Sequence, residues 1–215
     1  MIFTVKQMKT NFDMLWFAED KSGQSICAVL CPFTKGYLDI DFNYGENMCR
    51  DRLYYNPNST EYGSSIKDRL SFRFFRDGHY MAPVEVLTKK VKGLFQSYQY
   101  RKLNDNNQNF YMYEVGLGSK GLFLCFYKED ELIAIADKSL TVVNFQDNYR
   151  LYATSENFIR PIMALLIHYD MTAHGDVMEV AVRSVSHKKV NTIQKELIAK
   201  YDPNFIENIK RKEEK

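Results

Sequence analysis

From the start of the chain to about residue 153, short strand-like runs of apolar and aromatic residues recur at close spacing, some of them alternating with polar positions. Such runs lie at Ile2–Lys6, Met14–Ala18, Ser25–Leu30, Tyr37–Phe42 and Leu70–Phe75. A denser series follows at Phe110–Val115, Leu122–Tyr127, Leu132–Ala136, Leu140–Phe145 and Tyr149–Ala153. Turn-forming residues separate the runs: Asp20-Lys21-Ser22-Gly23, Gly116-Leu117-Gly118, Lys128-Glu129-Asp130 and Gln146-Asp147-Asn148. This succession predicts consecutive antiparallel hairpins in a barrel or sandwich. Residues 43–68 read as a long loop, or an excursion around one ill-defined strand, and Asn104–Asn109 as a polar hairpin tip.

Residues 156–171 break this pattern. Phe158, Ile159, Ile162, Met163, Leu165, Leu166, Ile167 and Tyr169 cover most of a helical circumference. A helix apolar nearly all round must be buried nearly all round. It is too short to span a bilayer and carries Arg160, His168 and Asp170. The simple solution is a helix threading the space that the strands enclose. Thr154 or Ser155 is the expected N-cap, Gly175 the stop, and Pro161 belongs in the first turn or at a kink. Arg160, a charge on a buried helix, calls for an Asp or Glu partner on a neighbouring strand.

Beyond the helix, Met178–Val185 alternates as a final strand. Lys188–Tyr201 reads as a helix with Val190, Ile193, Leu197 and Ile198 on one face, and Asp202-Pro203 opens a last helix through about Lys210. The chain divides into a barrel domain over 1–185 and a helical appendage over 186–215.

Composition supports this picture. Fifteen Tyr and fifteen Phe stand against ten Gly and five Pro, which favours strands. A formal charge of +2 provides no global field for DNA or RNA, so no nucleic-acid partner is expected. Cys27, Cys31, Cys49 and Cys125 form no CxxC pair and read as reduced thiols of a cytoplasmic protein. The N-terminal residues lack the pattern of a signal peptide, and no uncharged stretch is long enough for a transmembrane segment.

Few residue patterns carry chemistry. Gly116-Leu117-Gly118-Ser119-Lys120-Gly121 matches GxGxxG, but a strand-like run follows it where a dinucleotide loop needs a helix, so it reads as a hairpin turn. His168, Asp170, His174 and Asp176 could ligate a metal. His168 facing the helix dipole and a polar turn at His174 and Asp176 explain them without one, and no metal or cofactor is expected. No hydrolase elbow, Walker loop, HExxH or kinase set is present, and a non-enzymatic role is expected. The alternative is an enzyme with a pocket at a barrel mouth near His168, Asp170 and His174. Lys89, Lys90 and Lys92, with Arg101 and Lys102 beyond the aromatic stretch Phe95–Tyr100, are the candidate ligand-binding residues, suited to anionic lipid head groups. A solvated, charged edge strand accounts for the same residues.

The hairpin series, the strand Tyr149-Arg150-Leu151-Tyr152-Ala153 and the apolar helix ending in His168-Tyr169-Asp170 resemble the tubby C-terminal, LURP-one-related and phospholipid-scramblase group. The resemblance is most specific over residues 109–171. It implies a mostly β fold: a closed antiparallel barrel of about twelve strands around a central hydrophobic helix, with short C-terminal helices. It also implies a binding module for anionic phospholipid, peripheral to a membrane, or for a protein partner. No lipid-binding residue of that group maps onto a position here, and its calcium and membrane-anchor features are absent from this sequence.

Overall fold

The structure, a computed structural model, describes residues 1–10, 13–32, 38–45, 49–55, 72–91, 97–144, 146–173, 185–187 and 189–214. Among them, twelve strands close an antiparallel barrel. The first six are β1 (Ile2–Lys9), β2 (Asp13–Glu19), β3 (Ser25–Pro32), β4 (Leu38–Tyr44), β5 (Cys49–Tyr55) and β6 (Phe72–Arg76). The wall continues with β7 (His79–Lys90), β8 (Ser97–Asp105), β9 (Gln108–Gly116), β10 (Leu122–Lys128) and β11 (Glu131–Lys138). A short excursion, β12 (Thr141–Val143), leaves the wall to pair with β14 (Val185–His187) in a separate ribbon. The chain then re-enters as β13 (Asn148–Ala153), which pairs with both β11 and β1 and closes the ring. Closure leaves no unpaired strand edge in the wall.

Local chemistry sets the hairpins. Asn106 and Asn107 both adopt positive φ (51° and 62°) between β8 and β9, as a two-residue turn matching the strand twist requires. Asp77 and Gly78 do the same between β6 and β7 (48° and 83°). Residues 116–121 form the end of β9 and a 3-10 turn over Gly118–Lys120, and β10 follows directly at Leu122, so the GxGxxG stretch is a hairpin connection.

A 3-10 turn over Glu156–Phe158 leads into α1 (Ile159–Ala173). The Ser155 hydroxyl caps the turn, accepting from the Asn157 N–H at 3.2 Å, and Pro161 sits in the first turn of α1, where its missing N–H costs nothing. Ile162, Met163, Leu165, Leu166 and Ile167 are buried, as the continuous apolar circumference requires. One face of the wall and α1 form a single core, with Phe3, Trp16, Val29, Phe42, Leu53, Phe74, Leu103, Met112, Phe126 and Leu151 all in it. This side of each strand is the α1 face, and its reverse is the far face. No helix among the described residues is long and apolar enough to cross a membrane.

Within 43–68 the strand of the second reading is β5, and positions 56–68 lie outside the described residues. Two expectations need correction. The run expected at Leu140–Phe145 shrinks to β12, outside the barrel. The helix expected at Lys188–Tyr201 shortens to α2 (Lys195–Ile198). The preceding backbone is taken by the β9–β10 connection: Thr192 N–H donates to Gly116 O at 2.8 Å and Gly118 N–H to Val190 O at 2.9 Å. Gly116 makes this approach possible, because a Cβ there would lie 2.5 Å from Val190 O. The last helix, α3 (Phe205–Glu213), begins beyond Pro203, with the Asp202 carboxylate accepting from Asn204 N–H at 2.8 Å. Positions 178–184 of the expected final strand lie outside the described residues.

The C-terminal segment lies on the far face. Leu197, Ile206 and Ile209 join Ile2, Val115, Phe123, Cys125, Ile135 and Tyr152 in a second core. Phe123 and Tyr201 bring their rings to 4.4 Å. Cys27, Cys31 and Cys125 are buried, and burial pushes the Cys31 and Cys125 thiols up to about 12 and Cys27 higher still. Cys49 is half-buried. A thiol reagent at pH 8 should therefore modify Cys49 first in the native protein and the other three only on unfolding. Mass spectrometry of the labelled peptides checks this; early modification of Cys31 or Cys125 would contradict it.

Candidate functional site: a tyrosine-lined cleft on the far face

The charged residues of α1 are bound into the wall at separate places. Arg160, partly exposed at the start of α1, pairs with the buried Asp51 and donates to Asp77 at 3.1 Å, as a cation on a mostly buried helix requires. Asp170 accepts from the Gln7 amide at 2.7 Å, from the Trp16 indole at 2.9 Å and from the Tyr149 hydroxyl. The Lys138 ammonium stands 3.9 Å away and bridges Asp147 at 2.6 Å. His168 accepts from Arg101 Nε at 3.2 Å and meets the Phe72 ring edge-on at 4.8 Å.

The grouping of His168 with Asp170 that the alternative, enzymatic reading needs does not occur. Residues two apart on a helix diverge by about 200°, so His168 faces β6 and β8 while Asp170 faces β1, β2 and β13. Both are enclosed by protein. His174 and Asp176 lie outside the described residues, and among those described no group of three or more His, Cys, Asp or Glu could hold a metal ion.

The basic segment is divided in the same way. Strand alternation turns Lys89 and Lys102 to the far face and Arg101 to the α1 face. Arg101 is only 8% exposed. Its guanidinium donates to His168 and, at 2.8 Å, to Thr172, and lies 4.7 Å from the Tyr169 ring centre. Burial pushes it down to about 10. Arg101 is thus a packing residue of the helix, which corrects its assignment to an exposed ligand-binding patch. Lys89 bridges Glu196 of α2 at 3.0 Å, and Lys102 sits directly across from Glu85. Lys90 is exposed, and Lys92 lies outside the described residues.

The same register assembles a feature that the sequence reading did not single out. Tyr98 and Tyr100 of β8, Tyr111 and Tyr113 of β9 and Tyr127 of β10 all point to the far face. Tyr100 is directly across from Tyr113, and Tyr111 from Tyr127. The Tyr100 and Tyr113 rings stack at 5.4 Å, and Tyr113 meets Tyr127 edge-on at 5.6 Å. The first four line an open cavity of about 460 Å³. Lys89 beside Tyr98 marks one end. Glu129 and Asp130, in the β10–β11 turn, mark the other. Lys200, just beyond α2, forms the side, and Tyr127 donates its hydroxyl to the Lys200 carbonyl at 2.9 Å.

Burial and the crowd of neighbouring phenols raise Tyr113, and burial raises Tyr127 to about 12, so these hydroxyls stay protonated at neutral pH. The cleft therefore offers aromatic faces, neutral hydroxyls and a few charges, which suits recognition of a ligand. The spacing Tyr-x-Tyr at 98/100 and again at 111/113 is the sequence signal that could have revealed it. No family model matches the chain, nor does any curated protein or solved structure, so what the cleft holds must be read from its own residues.

Proposed function

We propose that this chain is a binding module: a tubby-like barrel, with α1 filling its interior, that engages a partner molecule through the tyrosine cleft. The interior placement of α1 is supported by the single core it shares with one face of the wall strands. The functional reading rests on one observation, the stacked tyrosines of β8 and β9 lining an open cavity beside the C-terminal segment. Tyrosine supplies broad, rigid contact area with a polar tip at low entropic cost, which is why interfaces favour it. A photo-crosslinking side chain at position 111 should capture a partner that the same group at the exposed Tyr80 does not. Equal capture from both positions would remove the cleft from the mechanism.

A second reading is attachment to an anionic membrane surface. The exposure of Lys89, which shares the far face with Lys102, and of Lys90 at the end of the same strand favours it. Liposome co-sedimentation tests it. Binding confined to anionic vesicles, weakened by salt and lost in a Lys89→Glu/Lys90→Glu/Lys102→Glu variant, would establish this surface. Absence of sedimentation at low salt would end the reading.

A further inference from the structure

The cleft already holds a cation of the chain's own. The Lys200 ammonium stands 4.7 Å from the Tyr113 ring centre and 4.6 Å from that of Tyr127. These rings therefore present their negative faces to a positive group, the arrangement that cation–π attraction favours. The charged residues lining the cavity balance, Lys89 and Lys200 against Glu129 and Asp130, but they are not equally available: Lys89 is already answered by Glu196, outside the lining, at 3.0 Å, and Lys200 lies over Tyr113 and Tyr127. Glu129 is held in place by the Asn109 N–H at 2.8 Å and the Asn109 side-chain amide at 3.1 Å. Asp130 beside it is exposed.

Resting on the reading of this cleft as the contact surface, we propose that it receives a lysine or arginine side chain from a basic segment of a partner protein. The faces of Tyr100 and Tyr111 take the cation, and Glu129 and Asp130 neutralise it. Lys200 is the built-in occupant of the adjoining position on Tyr113 and Tyr127. At the turn end of the cavity an anionic ligand would meet the negative ring faces and two carboxylates, since Lys89 stands at the opposite end and Lys200 at the side. The cavity volume of about 460 Å³ accommodates an extended basic side chain. The Tyr111 hydroxyl senses the same field: burial raises it first, and Glu129, Tyr100 and Asp130 each raise it further.

Lys200 then competes with the incoming side chain for neighbouring ring surface. A cation–π contact at a partly exposed site is worth about 1 kcal/mol, so Lys200→Ala should tighten binding about 5-fold.

The test is titration of the full chain, with isotope-labelled tyrosine rings, against a peptide of alternating Lys and Gly, and separately against one of alternating Glu and Gly. The Lys peptide should move the ring signals of Tyr100 and Tyr111. Lys200→Ala should strengthen its binding about 5-fold, and Asp130→Lys, in an exposed turn where the fold tolerates it, should weaken it by about tenfold or more. Unmoved signals with the Lys peptide, or undiminished binding by Asp130→Lys, overturn the proposal. An unchanged affinity in Lys200→Ala overturns the role of Lys200 as occupant. If the Glu peptide alone moves the same signals, the cleft remains the contact surface and the ligand class is wrong. If neither peptide moves them, both readings fall.

Discussion

Leu165→Asp is expected to leave the chain unable to reach its cooperative native state. Leu165 is 1% exposed, in the middle of α1, and belongs to the core shared with the barrel wall. Truncating such a side chain forfeits about 2 kcal/mol of apolar burial. An ionised carboxylate placed there without a partner adds a penalty of several kcal/mol more. Together these approach the whole stability of a typical domain, about 5–15 kcal/mol. The control is Leu165→Met, which keeps volume and apolarity and should cost under about 1.5 kcal/mol. Near-ultraviolet circular dichroism suits the comparison, because the single tryptophan, Trp16, is buried in the same core. A Leu165→Asp protein with wild-type signal and melting temperature would show that α1 is not enclosed.

Asp170→Ala carries the second large effect. It leaves the Trp16 indole and the Gln7 amide facing an apolar methyl, and leaves Lys138 with Asp147 as its carboxylate partner. Losing a buried, charged acceptor of this kind costs about 3 kcal/mol or more. Asp170→Asn retains one acceptor oxygen and separates charge from hydrogen bonding. Burial raises the Asp170 carboxyl above its ordinary value of 3.8, with the charge of Asp147 adding to the rise and Lys138 opposing it. The folded state thus holds the proton more tightly than the unfolded state, and wild-type stability falls as pH climbs from about 4 through the raised value. Asparagine does not titrate. The loss of stability in Asp170→Asn, relative to wild type, should therefore be larger at pH 4 than at pH 7. Urea midpoints at the two pH values measure it, and the reverse order would mean that Lys138 outweighs desolvation.

Much of the fold can be read from the residues, because burial writes a strong local pattern. The all-round apolar surface of 158–169 announces a buried helix, and short apolar and aromatic runs between turn-forming residues announce β9, β10 and β13. β7 is harder to recognise because Pro83 interrupts it. The proline is tolerated opposite Arg73, next to a register shift at Phe74/Phe75, where the ladder is already irregular. The short α2 is invisible locally, since Val190 and Thr192 are drawn into extended contacts by Gly116, which lies far away in sequence. The same limit governs the site. Clustering Lys89, Lys90, Arg101 and Lys102 by proximity in sequence ignores the pleat, which sends Arg101 inward to His168. The tyrosine cleft needs the pairings of Tyr100 with Tyr113 and of Tyr111 with Tyr127, and register emerges only once the hairpins close.

Ring closure also has a consequence for how the protein is made. The last wall contact pairs Ile2 with Tyr152 and Lys6 with Asn148, so the first strand to leave the ribosome waits for nearly the last one. Until then, one edge of β1 and the apolar residues meant for α1 stay open to other chains. Contacts of such sequence separation form slowly and leave sticky intermediates. Yield during synthesis should therefore depend on dilution, temperature and chaperone supply more than the finished, edgeless barrel would suggest.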